Sequence, residues 1–292
     1  MKIRASTRLF ALLGDPVDHS LSPLMQNAAL QAASLDAVYV ALRCGSDDVC
    51  GLATGIARAG GGGNVTVPHK RRVIAAVERP TEAVNRTGAC NTFWLEQGRV
   101  CGDNTDVAGF HAAAVALTGS LAGMRALVIG AGGAARAAVA ALLSANAREV
   151  NILNRSRERA VTLTHDLQTA PPRLRHLTGA EQIVGEFDLV VNATPLGLHD
   201  DPTLPLDLSR MPRVGAALDM VARTGGTAWS QHAASLGIPV TDGKEMLIAQ
   251  GAAAFERWFD RPAPIEAMRA ALQTAMPDTP VHHVQAPESS RA

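Results

Sequence analysis

The stretch Arg125-Ala-Leu-Val-Ile-Gly-Ala-Gly-Gly-Ala-Ala-Arg136 constrains this chain more than any other. Apolar residues run into a cluster of glycines and then into the alanine-rich segment Ala134–Ser144, which reads as strand, tight turn and helix. Gly130, Gly132 and Ala135 fill the positions of a G-x-G-x-x-G/A pattern. Glycine permits the turn, and the missing side chains let N–H groups at the helix N-terminus approach a pyrophosphate. In this strand–turn–helix setting the pattern predicts a dinucleotide-binding unit.

The next strand bears on which dinucleotide. Binders of NAD usually end it with a carboxylate for the ribose 2′-hydroxyl. Here Val150-Asn-Ile-Leu-Asn154 continues into Arg155-Ser156, with Arg159 a turn later. No carboxylate stands there to repel a 2′-phosphate, and two arginines can pair with one. NADP (NADPH in the reverse direction) is the expected cofactor.

Around this unit, strand-like and helix-like runs alternate along the 292 residues, which predicts an α/β chain with parallel sheets. Expected strands are Leu9–Leu13, Ala37–Leu42, Gly63–Val67, Arg125–Ile129, Val150–Leu153, Leu189–Asn192, Ala216–Asp219 and Pro239–Val240. Helical stretches include Pro23–Ala33 and Glu245–Phe259, the former with Ser22 as N-cap and Pro23 in its first turn. A Gly/Ser/Thr-bearing segment from Leu117 to Gly123 reads as a boundary before a fresh strand. The expected organisation is a Rossmann unit over 109–243 and a discontinuous unit over 1–108 and 244–276. The tail 277–292 has no apolar period and is expected to be disordered, with His282 and His283 solvated.

Charge excludes some partners. Lysine plus arginine and aspartate plus glutamate both number 27, so nothing favours nucleic acid or an acidic membrane surface. The apolar run at Leu9–Leu13 is too short for a signal segment or a membrane span. Cys44, Cys50, Cys90 and Cys101 lack metal-ligand spacing and read as reduced thiols of a cytoplasmic protein.

Three polar segments mark the N-terminal half. Gly14-Asp-Pro-Val-Asp-His-Ser-Leu-Ser-Pro23 sets Ser20 and Ser22 before a helix, a place suited to a carboxylate. Asn64-Val-Thr-Val-Pro-His-Lys70 follows a glycine run and offers Thr66 and Lys70. Gly102-Asp-Asn-Thr-Asp-Val-Ala-Gly-Phe110 packs Asp103, Asn104, Thr105 and Asp106 into one turn. Together with GACNT, NRS, NATPLG and DGKEMLIAQGAAAF, these segments stand in the order and spacing of the shikimate dehydrogenase family, which the chain resembles from about Leu9 to Phe259.

The resemblance implies a substrate domain joined to an NADP-binding Rossmann domain, with the active site in the cleft between them. Lys70 and Asp106 match the family's acid/base pair, which moves a proton at the C3 oxygen of a small cyclic hydroxy acid while a hydride is exchanged with NADP. Ser20 and Ser22 match its carboxylate-binding hydroxyls, and Thr66, Asn91, Asp106 and Gln250 match contacts to ring hydroxyls. Gly130, Ala131, Gly132, Gly133 and Ala134 match the pyrophosphate turn. Asn154, Arg155, Ser156 and Arg159 match the adenosine-phosphate clamp, and Thr194, Met220 and Gly243 match positions lining the dinucleotide. No metal is implied, and a homodimer is an expected assembly.

Three positions depart from the family pattern. Ala222 stands where a tyrosine commonly faces the substrate carboxylate, Gln26 replaces a common histidine, and Lys244-Glu245 replace small or apolar residues. Shikimate is the first choice of substrate, with quinate or an aminoshikimate as the alternative within the family. A non-catalytic regulator that binds dinucleotide is a reading of another class, and retention of both Lys70 and Asp106 argues against it.

Overall fold

The computed structural model describes residues 3–168, 173–198 and 202–276. The tail expected to be disordered, with its two histidines, lies outside the described residues. Among those residues the strands form two six-stranded sheets.

The first sheet is built from β1 (Arg8–Gly14), α1 (Ser22–Ala32), β2 (Ala37–Arg43), α2 (Val49–Arg58), β3 (Gly62–Val65), β4 (Arg79–Pro80), α3 (Glu82–Thr87), β5 (Thr92–Glu96) and β6 (Arg99–Asp103). Its strand order is β2-β1-β3-β5-β6-β4. Strands β1, β2 and β3 pair in parallel, but β5 is antiparallel to both β3 and β6. This corrects the expectation of parallel sheets throughout. For β5 and β6 the cause is local: Gln97-Gly98 closes a two-residue hairpin with both residues at positive φ, 50° and 75°, the handedness that matches strand twist.

The helix α4 (Thr105–Thr118) leads out of this sheet into the second. There follow β7 (Arg125–Ile129), α5 (Gly133–Ser144), β8 (Glu149–Leu153), α6 (Arg157–Leu167), β9 (Leu174–Leu177), β10 (Leu189–Asn192), β11 (Ala217–Asp219), α7 (Ala228–Ser235) and β12 (Val240–Thr241). All pairs are parallel, in the order β12-β11-β10-β7-β8-β9. This is the doubly wound order of a dinucleotide fold, with the switch in winding between β7 and β10. The alanines of α5 are buried on nearly every side, which small side chains permit between a sheet and α4.

The chain closes with α8 (Gly243–Phe259) and α9 (Ile265–Ala275). Both return to the first sheet, where Phe10 stacks on Trp258 and on Phe259 at 5.0 Å between ring centroids. Met25, Tyr39, Met268 and Leu272 complete that core. Helix α8 also lies along α4, and a Cβ on Gly109 would stand 2.7 Å from the Cβ of Gln250. The missing side chain lets the two helices touch, and it sets Asp106 and Gln250 on adjoining walls.

Candidate active site

Ten of the expected site residues share one cavity of about 380 Å³. Ser20, Ser22, Thr66, Lys70, Asn91, Asp106 and Gln250 line it together with Ala134, Met220 and Gly243. Its walls therefore come from both sheets and from α8.

At its centre the Lys70 ammonium donates to Asp106 Oδ2 at 2.5 Å. The other carboxylate oxygen, Oδ1, accepts from Asn91 Nδ2 at 2.8 Å. Asn91 is in turn held through its own Oδ1, which accepts from the Thr105 amide at 2.8 Å and from Thr92 Oγ1 at 2.9 Å. Lys70 is tied by its carbonyl, which accepts from the Cys90 amide at 2.7 Å. Asp106 sits in the first turn of α4, where the helix N-terminus favours negative charge. The Lys70 and Asp106 side chains are 19% and 9% exposed. The charge-assisted bond between them is therefore only lightly screened, and both groups still face the cavity. A part-buried ammonium–carboxylate couple open to a cavity can hold or move one proton at a bound hydroxyl.

Other polar groups flank this couple. Thr66 follows Asn64 by two residues, so both fall on one side of the extended chain and both line the cavity. Asn64 is buried and links the Tyr39 hydroxyl, the Asn91 carbonyl and Thr92 Oγ1. The sequence reading missed it, although the period of two from Thr66 was a signal. Tyr39 is core, with its hydroxyl donating to Asn64. Ser20 Oγ accepts from the Ser22 amide at 3.2 Å. The helix begins at Ser22 itself, and Leu21 occupies the N-cap. Ser22 is thus not the capping residue expected from sequence, and its hydroxyl stands at the cavity wall instead. His19, Met246 and Leu247 also line the cavity and were not singled out from sequence.

The cofactor set divides in two. Gly130 has φ of +118°, and a Cβ there would lie 2.8 Å from the Ala193 carbonyl oxygen, so glycine is required at the turn. Gly132 is the N-cap of α5, and no side chain caps that end. Its first amides point outward with no intrahelical acceptor, which suits a diphosphate. Gly133 lies against the Lys70 side chain, 3.6 Å from its Cδ to a Cβ built there. Thr194 donates through its amide and hydroxyl to Asn192 Oδ1, at 3.0 and 2.7 Å. The second group lies away from the cavity, beyond β8. There Asn154 Nδ2 donates to the Ser156 carbonyl at 2.7 Å, Ser156 is the N-cap of α6, and Arg155 and Arg159 are exposed. Two arginines at an uncapped helix start fit a 2′-phosphate.

The three departures fall in different places. Ala222 lines the cavity. Gln26 is fully buried, donates to the Gly251 carbonyl at 2.9 Å and does not line the cavity. Lys244 and Glu245 line a separate cavity of about 570 Å³ between α7, α8 and α9. Their side chains bear on that groove rather than on the catalytic one. Cys44, Cys90 and Cys101 are buried, and burial pushes the Cys90 thiol up to about 12. That leaves no thiolate nucleophile beside Lys70. No helix among the described residues is long and apolar enough to cross a membrane.

Comparison with known proteins gives a consistent picture. The family profile described as shikimate dehydrogenase substrate binding domain matches residues 12–93. The profile described as shikimate / quinate 5-dehydrogenase matches 112–197, and that of the shikimate 5′-dehydrogenase C-terminal domain matches 243–273. A shikimate dehydrogenase (NADP(+)) from Brucella abortus is 39% identical over 277 residues, spanning 92% of this chain and 94% of its own length. One from Synechocystis is 34% identical, spanning 97% and 98%. The crystal structure of a shikimate 5-dehydrogenase from Thermus thermophilus in complex with NADP(H) and shikimate superposes with a TM-score of 0.82. It is 36% identical and covers 92% of this chain and 99% of that one.

Proposed function

The chain belongs to the shikimate dehydrogenase family, and from that premise we propose that it is an NADP-dependent dehydrogenase exchanging a hydride with the C3 position of shikimate. The observation that carries the reading is the Lys70–Asp106 couple, joined at 2.5 Å and open to a cavity that also holds Ser20, Ser22, Thr66 and Gln250.

When bound, NADP supplies the hydride acceptor at the cleft. The protein's own groups do the rest. On oxidation the C3 hydroxyl must lose its proton as hydride leaves the carbon. Lys70 and Asp106 take that proton as a couple, and the ammonium stabilises charge developing on the oxygen. Asn91 fixes the carboxylate orientation through Oδ1. The Ser20 and Ser22 hydroxyls receive the substrate carboxylate, and Thr66, Asn91, Asp106 and Gln250 receive ring hydroxyls. Gly130, Ala131, Gly132, Gly133 and Ala134 seat the diphosphate. Asn154, Arg155, Ser156 and Arg159 bind the adenosine 2′-phosphate, while Thr194, Met220 and Gly243 line the nicotinamide side. In this reading residues 1–108 and 244–276 are the substrate domain and 109–243 the dinucleotide domain. The expected homodimer and cytoplasmic location belong to the same proposal and are tested by light scattering and cell fractionation.

One observation favours a second substrate reading. Ala222, a small apolar side chain, forms part of the cavity wall, which leaves room for quinate or an aminoshikimate. The test follows NADPH formation with shikimate, quinate and aminoshikimate, each with NADP and with NAD. A kcat/KM highest for shikimate with NADP supports the first reading, and one highest for a relative supports the second. Tight NADP binding with no turnover on any of them leaves a regulatory role.

A further inference from the structure

Asp219, at the end of β11, is fully buried in the dinucleotide-binding half of the protein, and the chemistry described above does not use it. Three donors converge on its carboxylate. Oδ1 accepts from Asn192 Nδ2 at 2.9 Å and from the Val221 amide at 3.0 Å, and Oδ2 accepts from Thr227 Oγ1 at 2.5 Å. A buried carboxylate is costly unless bonds of this kind hold it. Desolvation still moves its proton affinity upward. A group placed at that cost invites the question of what it positions.

Two of the three donors lead to the wall of the catalytic cavity, and the third, Thr227, leads to the cap of α7. The bond to Asn192 fixes which way that amide faces. With Nδ2 turned to Asp219, Oδ1 receives the amide and hydroxyl of Thr194. The segment 193–198 then runs past Gly130 to put Pro195 and Leu198 on the cavity. The bond to the Val221 amide curls the chain just after β11, so that Met220, Val221 and Ala222 line the same cavity. From the other side Gly243 presses on that curl, its amide donating to the Val221 carbonyl at 3.1 Å. The bond to Thr227 anchors the cap of α7, whose capping box closes with Ser230. The two segments leave the carboxyl ends of neighbouring parallel strands, β10 and β11, on the side where such sheets bind ligands.

We propose that Asp219 is a positioning residue of the reaction: through Asn192 and the Val221 amide, one carboxylate sets both segments of the wall that faces Lys70, and with them the seat of the nicotinamide ring. The inference rests on the functional reading above. It predicts that loosening the carboxylate misplaces the hydride acceptor while Ser20, Ser22, Thr66 and Gln250, carried on other elements, keep their places, and that on the substrate side only the small Ala222 shifts.

The test compares Asp219→Ala, Asp219→Asn and Thr194→Val with the wild type. Readouts are kcat, both KM values, NADP affinity by calorimetry, and the isotope effect on kcat with shikimate deuterated at C3. Wild-type turnover of shikimate settles the functional reading first, so its failure is seen separately. Asp219→Ala is expected to lower kcat by about 100-fold, the scale of a misplacement of about 1 Å. NADP affinity falls, the KM for shikimate stays within about twofold, and the isotope effect rises as hydride transfer becomes limiting. Asp219→Asn, which keeps an acceptor for Asn192 and Val221, recovers most of the rate. Cooperatively folded Asp219→Ala with wild-type NADP affinity and isotope effect overturns the proposal, as does a loss of rate that tracks only the folded fraction. If Asp219→Ala does not fold, Thr194→Val decides. It removes the hydroxyl that donates to Asn192 Oδ1 and accepts from the Leu196 amide, while the amide of residue 194 stays on Asn192, and an unchanged kcat, NADP affinity and isotope effect there also overturn the proposal.

Discussion

Replacing Asn91 with alanine tests the buried network that orients the acid/base couple. Asn91 is 2% exposed, and its amide is engaged at both ends. Nδ2 donates to the Asp106 carboxylate at 2.8 Å, and Oδ1 accepts the Thr105 amide at 2.8 Å at the start of α4. A hydrogen bond to a charged group contributes about 1.5–3 kcal/mol, and a buried N–H left without an acceptor costs about 1–3 kcal/mol. The cavity beside Asn91 admits water to the vacated space, which offsets part of the second cost. A loss of about 3 kcal/mol is expected. For a chain of 292 residues that corresponds to a fall in Tm of roughly 5 °C. Thermal unfolding of the ligand-free protein at pH 7 reads the stability, and kcat with shikimate reads the orientation of Asp106. A Tm within about 2 °C of wild type, with kcat unchanged, would refute the claim that Asn91 holds Asp106.

Further expectations follow from other parts of the structure. Arg155→Ala should raise the KM for NADP by about 10-fold or more while leaving that for NAD nearly unchanged, since a charge-assisted bond to phosphate contributes about 1.5–3 kcal/mol; equal effects on the two cofactors would place Arg155 outside the clamp. Gly243→Ala would set a Cβ 2.6 Å from the Ala222 amide nitrogen and the Met220 carbonyl oxygen. Such overpacking costs about 1–3 kcal/mol, and urea unfolding and NADP affinity should both weaken; neither changing would contradict the contact. The Arg136 guanidinium, at 2.8 Å, holds the Asp166 carboxyl below the usual carboxylate range. A carboxylate lowered in the folded state contributes stability above its unfolded value of about 4 and loses it as pH falls through the folded value. The stability gap between wild type and Asp166→Asn should therefore narrow as pH falls below the unfolded value of about 4, and a gap that stays constant would refute the pairing.

Much of this architecture was legible because the chain punctuates it with residues of narrow use. Gly130 and Gly132 announced the turn after β7, and apolar runs closed by polar residues announced β7, β8, β10 and β11 within a residue or so. What stayed hidden depended on tertiary context. The strands β5 and β6 were missed because Gln97-Gly98 is a less familiar hairpin turn than Asn-Gly, and β4 (Arg79-Pro80) and β9 (Leu174-Arg-His-Leu177) offer no apolar run. The motifs placed Lys70, Asp106 and Asn91 as candidates, but not that Asn91 clamps Asp106 rather than standing apart from it. Nor does sequence separate positions one residue apart on α8. Gly243, Met246 and Gln250 face the catalytic cavity, whereas Lys244 and Glu245 face the groove behind it. Only helix packing decides that. Asn64, Asn192 and Asp219 carried a signal all the same: each is a polar residue in or ending a buried strand, where a side chain must earn its burial through bonds.

The central claim is that Lys70 and Asp106 move the proton while the remaining walls only bind and orient. The most direct measurement is the rate of NADP reduction by shikimate for Lys70→Ala, made alongside calorimetric affinity for NADP. The predicted result is a kcat lower by about 10²–10⁴-fold with NADP affinity within about twofold of wild type. A kcat close to wild type, or a loss of NADP affinity as large as the loss of rate, would contradict it.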